Sequence, residues 1–174
     1  MPHAFRILFP LLTVFLLGLF TQCRDTPKPT SSDAPPLPRL DSLLLTPNGV
    51  EKLLSADAQM ATLWGQLLGA SPDEAPEPIL QRFAADTLIR RLQDTINKTF
   101  PLTQRPDAQL RQAFANLKKL APTRPTPRLL YYNSGFTASF LVADSLLAVG
   151  LDRFLGADAS FYTALGMPRY LAAH

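Results

Sequence analysis

The chain has 174 residues, with 17 Lys+Arg against 14 Asp+Glu, a net charge of +3 and its charges interspersed. That balance excludes a nucleic-acid footprint, which needs basic residues gathered into a patch. One cysteine excludes an internal disulfide, and two histidines, His3 and His174, leave no His/Cys ligand set for a zinc site.

The chain opens with Met1 to Arg6, short and slightly basic, followed by an uncharged apolar run over residues 7–20 (ILFPLLTVFLLGLF). Fourteen residues suit the core of a secretion signal. A membrane-spanning helix needs about 20 apolar residues, and Pro10 sits in the middle of this run. Thr21, Gln22 and then Cys23 follow, before an abrupt switch to polar sequence at Arg24. Basic start, apolar core, terminal cysteine and polar exit together describe a bacterial lipoprotein signal. Residues 1–22 are then the signal peptide, and Cys23 carries the acyl chains that tie the protein to a membrane. Gln22 departs from the small residue expected before such a cysteine. A marginal anchor, or an ordinary signal cut nearby, are the blander readings. A free thiol in an oxidising compartment is unusual, so the lone cysteine favours the lipid.

Removal of residues 1–22 leaves 152 residues, enough for one domain with a core. Residues 24–38 (RDTPKPTSSDAPPLP) hold five of the 17 prolines and no aromatic residue. They read as an extended tether behind Cys23, since so little apolar surface cannot offset ordering entropy. The folded domain is expected over residues 39–174.

Residues 39–46 form a short apolar run, either a strand or the lead-in to a helix. Thr46-Pro47 signals a helix start, and Val50, Leu53, Leu54, Met60, Leu63, Trp64, Leu67 and Leu68 then recur at helical spacing. Ser55 or Asp57 is a candidate break within it. Ile79, Leu80 and Phe83 mark another helix, and Asp86 reads as the cap of a third, with stripe Leu88, Ile89, Leu92 and Ile96. Pro106-Asp107 opens a fourth, with stripe Leu110, Phe114, Leu117 and Leu120.

The character changes after the breaker segment at residues 122–127. Residues 128–133 (RLLYYN), 136–142 (FTASFLV) and 145–151 (SLLAVGL) read as three short strands. Asn133-Ser134-Gly135 turns between the first two, and Ala143-Asp144 makes a hairpin between the others. Short links suggest an antiparallel meander. Helices followed by a small antiparallel sheet of about three strands give an α+β class.

The sequence holds no HExxH, no phosphate-binding glycine loop and no GxSxG motif. Ser134 lacks an internal histidine to serve as its base, so it reads as a turn serine. Asp152 is either a ligand or, more simply, a cap at a strand-to-helix corner. The aromatic residues Tyr131, Tyr132, Phe136, Phe140, Phe154, Phe161, Tyr162 and Tyr170 pack a core by default; a partner interface is the sharper alternative. No catalytic, metal or cofactor residue is assigned. Cys23, as the lipid attachment site, is the one residue given a chemical role.

Residues 129–136 (LLYYNSGF), 145–156 (SLLAVGLDRFLG), Asp158, Phe161-Tyr162 and 167–171 (MPRYL) carry a resemblance. The chain resembles GldB, the gliding motility-associated lipoprotein family of Bacteroidota, over most of residues 39–173. The resemblance implies a lipid-anchored protein in the envelope of a Gram-negative bacterium, facing the periplasm. It implies partners among the envelope proteins of a motility or secretion machinery, and action by contact without catalysis. It also implies a chain that is the N-terminal half of a longer product. The family looks distantly related to zinc peptidases, which implies a zincin-like layout without the metal helix. The alternative function is then a truncated zincin-like peptidase or peptide-binding domain whose active half is missing.

Overall fold

The computed structural model describes residues 34–166. The readings that fall on residues 1–33 and 167–174, among them the signal peptide, Cys23 and Tyr170, lie outside the described residues.

The described chain starts inside the proline-rich stretch, and the end of that stretch is docked. Leu37 is buried and its N–H donates to the Asp107 carboxylate at 3.0 Å; the Pro38 carbonyl accepts from Tyr131 N at 2.9 Å. Proline lacks a donor, but its carbonyl still pairs, so the segment suits a sheet edge. The short apolar run after it resolves both ways. Arg39 bridges to Tyr131 in parallel, and Leu40–Leu44 then forms helix α1.

Helix α2 (Gly49–Ala56) begins two residues after Pro47, because Asn48 adopts a left-handed φ of 57° at its N-cap. Asp57 is the break: its backbone leaves the helical region and its side chain accepts from Met60 N at 3.0 Å, starting α3 (Ala58–Leu67). Helix α4 (Glu77–Ala85) has proline in its first turn. Asp86 caps α5 (Thr87–Thr99), accepting from Leu88 N at 2.7 Å and Ile89 N at 3.3 Å. Helix α6 spans Gln104–Leu120.

Three strands follow: β1 (Arg128–Tyr132), β2 (Phe140–Ala143) and β3 (Leu146–Gly150). A 3₁₀ turn (Leu151–Phe154) and a short helix α7 (Ser160–Ala164) complete the described residues. The α+β layout is as expected, and the sheet is mixed. β2 and β3 make the antiparallel hairpin, but its two-residue loop is Asp144-Ser145, one position later than the sequence suggested. β1 pairs with β3 in parallel, giving the order β1-β3-β2. Residues 133–139 therefore carry the chain across to the far edge before it returns between the two outer strands.

Both sheet faces are covered, to different extents. Leu130, Tyr132, Leu141, Leu146 and Ala148 face a core built from Leu44, Leu53, Met60, Trp64 and Leu80 of α1 to α4. Trp64 meets Phe83 and Tyr132 edge-on, with centroids 5.9 and 5.6 Å apart. Gly65 lets α3 and α4 approach, since a Cβ there would lie 2.6 Å from Pro76 Cβ. The opposite face sets Leu129, Tyr131 and Val149 against Leu92 and Ile96 of α5, joined by Leu151, Leu155 and Tyr162. The predicted stripe of α6 is covered only in part. Leu110 and Phe114 pack on that second core, while Leu117 and Leu120 are exposed.

Candidate functional site

The loop at residues 133–136 is the chemically densest part of the fold. It leaves the carboxyl end of β1, beside the carboxyl end of β3, with which β1 runs parallel. Gly135 (φ 61°) and Phe136 (φ 64°) both adopt the left-handed region. Glycine does so at no steric cost, but phenylalanine does not, so the surroundings must hold the loop in place.

Asp152 supplies that hold. It is fully buried at the start of the 3₁₀ turn. One carboxylate oxygen accepts from Ser134 N at 2.8 Å; the other accepts from Ser134 Oγ at 2.6 Å and from Phe136 N at 2.7 Å. Burial raises the Asp152 pKa above the usual aspartate range, and the three donors oppose that shift without cancelling it. Of the two sequence readings, the structural one comes closer: Asp152 anchors a loop across the sheet end and caps no helix. Gly150, two residues earlier, allows the close approach. A Cβ there would lie 2.6 Å from the Ala138 carbonyl oxygen.

A second set of polar groups fixes the loop from the other side. The Asn133 amide donates to Gln93 Oε1 at 3.2 Å, and Asn133 Oδ1 accepts from Gly135 N at 3.0 Å. Gln93 in turn donates to Asp41 at 2.6 Å, and Arg39 clamps Asp41 with its Nε and Nη2. The chain Arg39–Asp41–Gln93–Asn133 links the entry segment, α1, α5 and the loop. A third buried carboxylate, Asp107, accepts from Tyr131 Oη at 2.7 Å and from Thr103 Oγ1 at 3.3 Å. Burial, then the bond to Asp107, raises the Tyr131 pKa well above the ordinary tyrosine value. Burial, then the nearby Asp152 charge, does the same for Tyr132.

Ser134 is buried in the turn that the sequence placed at residues 133–135, with its hydroxyl donating to Asp152. Beside the loop an open cleft of about 480 Å³ is walled by Ile79, Phe83, Ile89 and Gly135, with Arg82 and Asp86 among its lining residues. Those groups offer apolar contact and one charge of each sign, and none is an activated nucleophile. Among the described residues, no three His, Cys, Asp or Glu side chains converge on a point that would hold a metal ion. Among them also, no helix is long and apolar enough to cross a membrane.

The structure separates what the sequence grouped. Tyr131, Tyr132 and Tyr162 are core; Phe136, Phe154 and Phe161 are half-buried; Phe140 is exposed. Sequence reasoning missed the buried roles of Asp41, Gln93 and Asp107. Gln93 and Asp107 stand among other polar residues (RRLQDT and QRPDAQ) and Asp41 stands between Leu40 and Ser42, so no local signal sets them apart from an exposed helix face. Cys23, the one residue given a chemical role, lies outside the described residues.

A family model described as gliding motility protein GldB matches residues 36–174. No curated protein matches the chain, and no solved structure does.

Proposed function

The chain belongs to the gliding motility protein GldB family, and from that premise we propose that it is a lipid-anchored envelope protein that serves the motility machinery through protein contacts. Cys23 is the acylated residue and the polar stretch after it is the spacer. The body that begins near Leu37 faces the periplasm and presents its surface to other envelope proteins. The family match over residues 36–174, behind a lipoprotein-type leader, is the observation that carries this reading. The fold is consistent with it. Its buried polar groups are spent on holding loops, with Asp152, Asp107 and Asp41 each satisfied inside the body. One acyl chain binds a membrane only marginally, so several chains on the mature cysteine are needed for a stable anchor.

Complementation tests this reading. Cells lacking their own copy are expected to regain spreading on a surface with the wild-type chain. They are expected not to regain it with Cys23→Ala, which should appear in the soluble periplasmic fraction. Full spreading with Cys23→Ala would contradict the anchored role.

A further inference from the structure

Among the described residues the edge of the sheet formed by β2 is open, and its residues are complementary to themselves. Among the described residues β2 pairs only with β3. Gly150 N donates to Ser139 O at 2.8 Å. Backbone groups alternate in an antiparallel ladder, so those of Ser139, Leu141 and Ala143 face β3 and those of Phe140 and Val142 face outward. The same two residues carry exposed side chains, 53% for Phe140 and 70% for Val142. Phe140 continues onto Phe154, their ring centroids 5.9 Å apart. Soluble sheets usually guard such an edge with lysine, proline or a bulge, and residues 138–143 (ASFLVA) hold no lysine and no proline. The opposite edge is guarded: Pro38 and Arg39 lie along β1.

The geometry points to antiparallel pairing of β2 with β2 of a second copy of this chain, about a two-fold axis at Leu141. In that register the outward backbone groups of Phe140 meet those of the partner's Val142, and the reverse. Phe140 then lies opposite the partner's Val142 twice, an aromatic against a β-branched residue, which is a favoured cross-strand pair. Leu141 faces its own copy at the axis. Asp144 falls opposite the partner's Ala138, so no like charges are opposed. Two three-stranded sheets become one of six. The contact is isologous and the β1 edges are covered, so assembly closes at two copies instead of running on as a fibre. A strand this short buries far less than the roughly 800 Å² per partner of a standard interface. The dimer is therefore weak and forms where copies are crowded.

The test is photo-crosslinking in cells that make the full chain, with p-benzoylphenylalanine replacing Val142. Irradiation is expected to give an adduct of twice the chain's mass, with mass spectrometry joining position 142 to residues 138–144 of a second copy. The probe in place of Leu88, exposed on α5, is expected to give none. Phe140→Lys is expected to cut the yield about tenfold, through loss of two aromatic pairs, while Phe140→Tyr keeps it. Both substitutions are at an exposed position, and thermal unfolding checks that each variant folds. An absent double-mass adduct overturns the proposal. So does an adduct to a different protein in its place, or an undiminished yield in a folded Phe140→Lys variant. The pairing stands or falls without reference to the lipid on Cys23.

Discussion

Asp152 shows how one residue can organise a loop. Its two oxygens receive three donors, and they fix a non-glycine residue, Phe136, at a φ of 64°. Asp152→Asn keeps the shape but replaces one acceptor with an NH₂ group that must face a donor. The expected loss is about 1–3 kcal/mol of stability at neutral pH, the cost of an unmet buried group; chemical denaturation checks it. The pH dependence has a definite sign. The folded pKa of Asp152 lies above its unfolded value. The native state therefore holds the proton more tightly, and stability falls as pH rises from about 3.8, the ordinary aspartate value, to the raised folded value. The wild type should gain on Asp152→Asn as the pH is lowered through that window. A gap that is flat with pH would contradict the assignment. The sequence allowed Asp152 a structural role at a strand-to-helix corner, and that much was legible. Its partners were not, because Ser134 and Phe136 reach it across the sheet end, and a distance of 16 to 18 residues leaves no local pattern.

Local signals wrote the helical elements plainly. Asp57 and Asp86 each stand before a periodic apolar run, and each caps the helix that follows. Asp86→Ala removes two hydrogen bonds to exposed helix-start amides, so a loss of about 0.5–2 kcal/mol is expected in thermal or chemical unfolding. No change would show that water replaces the cap at no cost. The start of α2 was less legible, since Pro47 invited a first-turn reading and the left-handed Asn48 moved the start to Gly49. The sheet was legible as three short strands and a hairpin. Strand order was not. Residues 133–139 are long enough to cross β3, and nothing local distinguishes that path from a return beside β1. The burial pattern that results, Leu129 and Tyr131 on one face and Leu130 and Tyr132 on the other, is alternation within the uncharged run that follows Arg128, which the sequence cannot assign.

At the scale of the whole molecule, the two cores lie on opposite faces of one sheet, and the buried polar chain ties the entry segment, α1 and α5 to the loop after β1. Tyr131, Tyr132 and Tyr162 all have pKa values raised by burial. The unfolded chain ionises these phenols first, so stability is lost as pH climbs past about 10, their ordinary value. Absorbance at 295 nm is expected to rise for these three tyrosines in a single step that coincides with loss of far-ultraviolet circular dichroism. Phenolate forming gradually while the fold persists would contradict their burial. Membership of the GldB family joins this body to an envelope role, and the proposed attachment through Cys23 belongs to the residues before it. The family was legible in the aromatic-rich segments after residue 128, where the resemblance lay, and the match over residues 36–174 bears it out.

The central claim is that the body described here hangs from a membrane by Cys23. Growth with radioactive palmitate, followed by recovery of the protein from the membrane fraction, tests it most directly. The wild-type chain should carry label on a mature N-terminal peptide beginning at Cys23, and Cys23→Ala should carry none. Equal label in the two proteins, or a wild-type chain still beginning at Met1, would contradict the account.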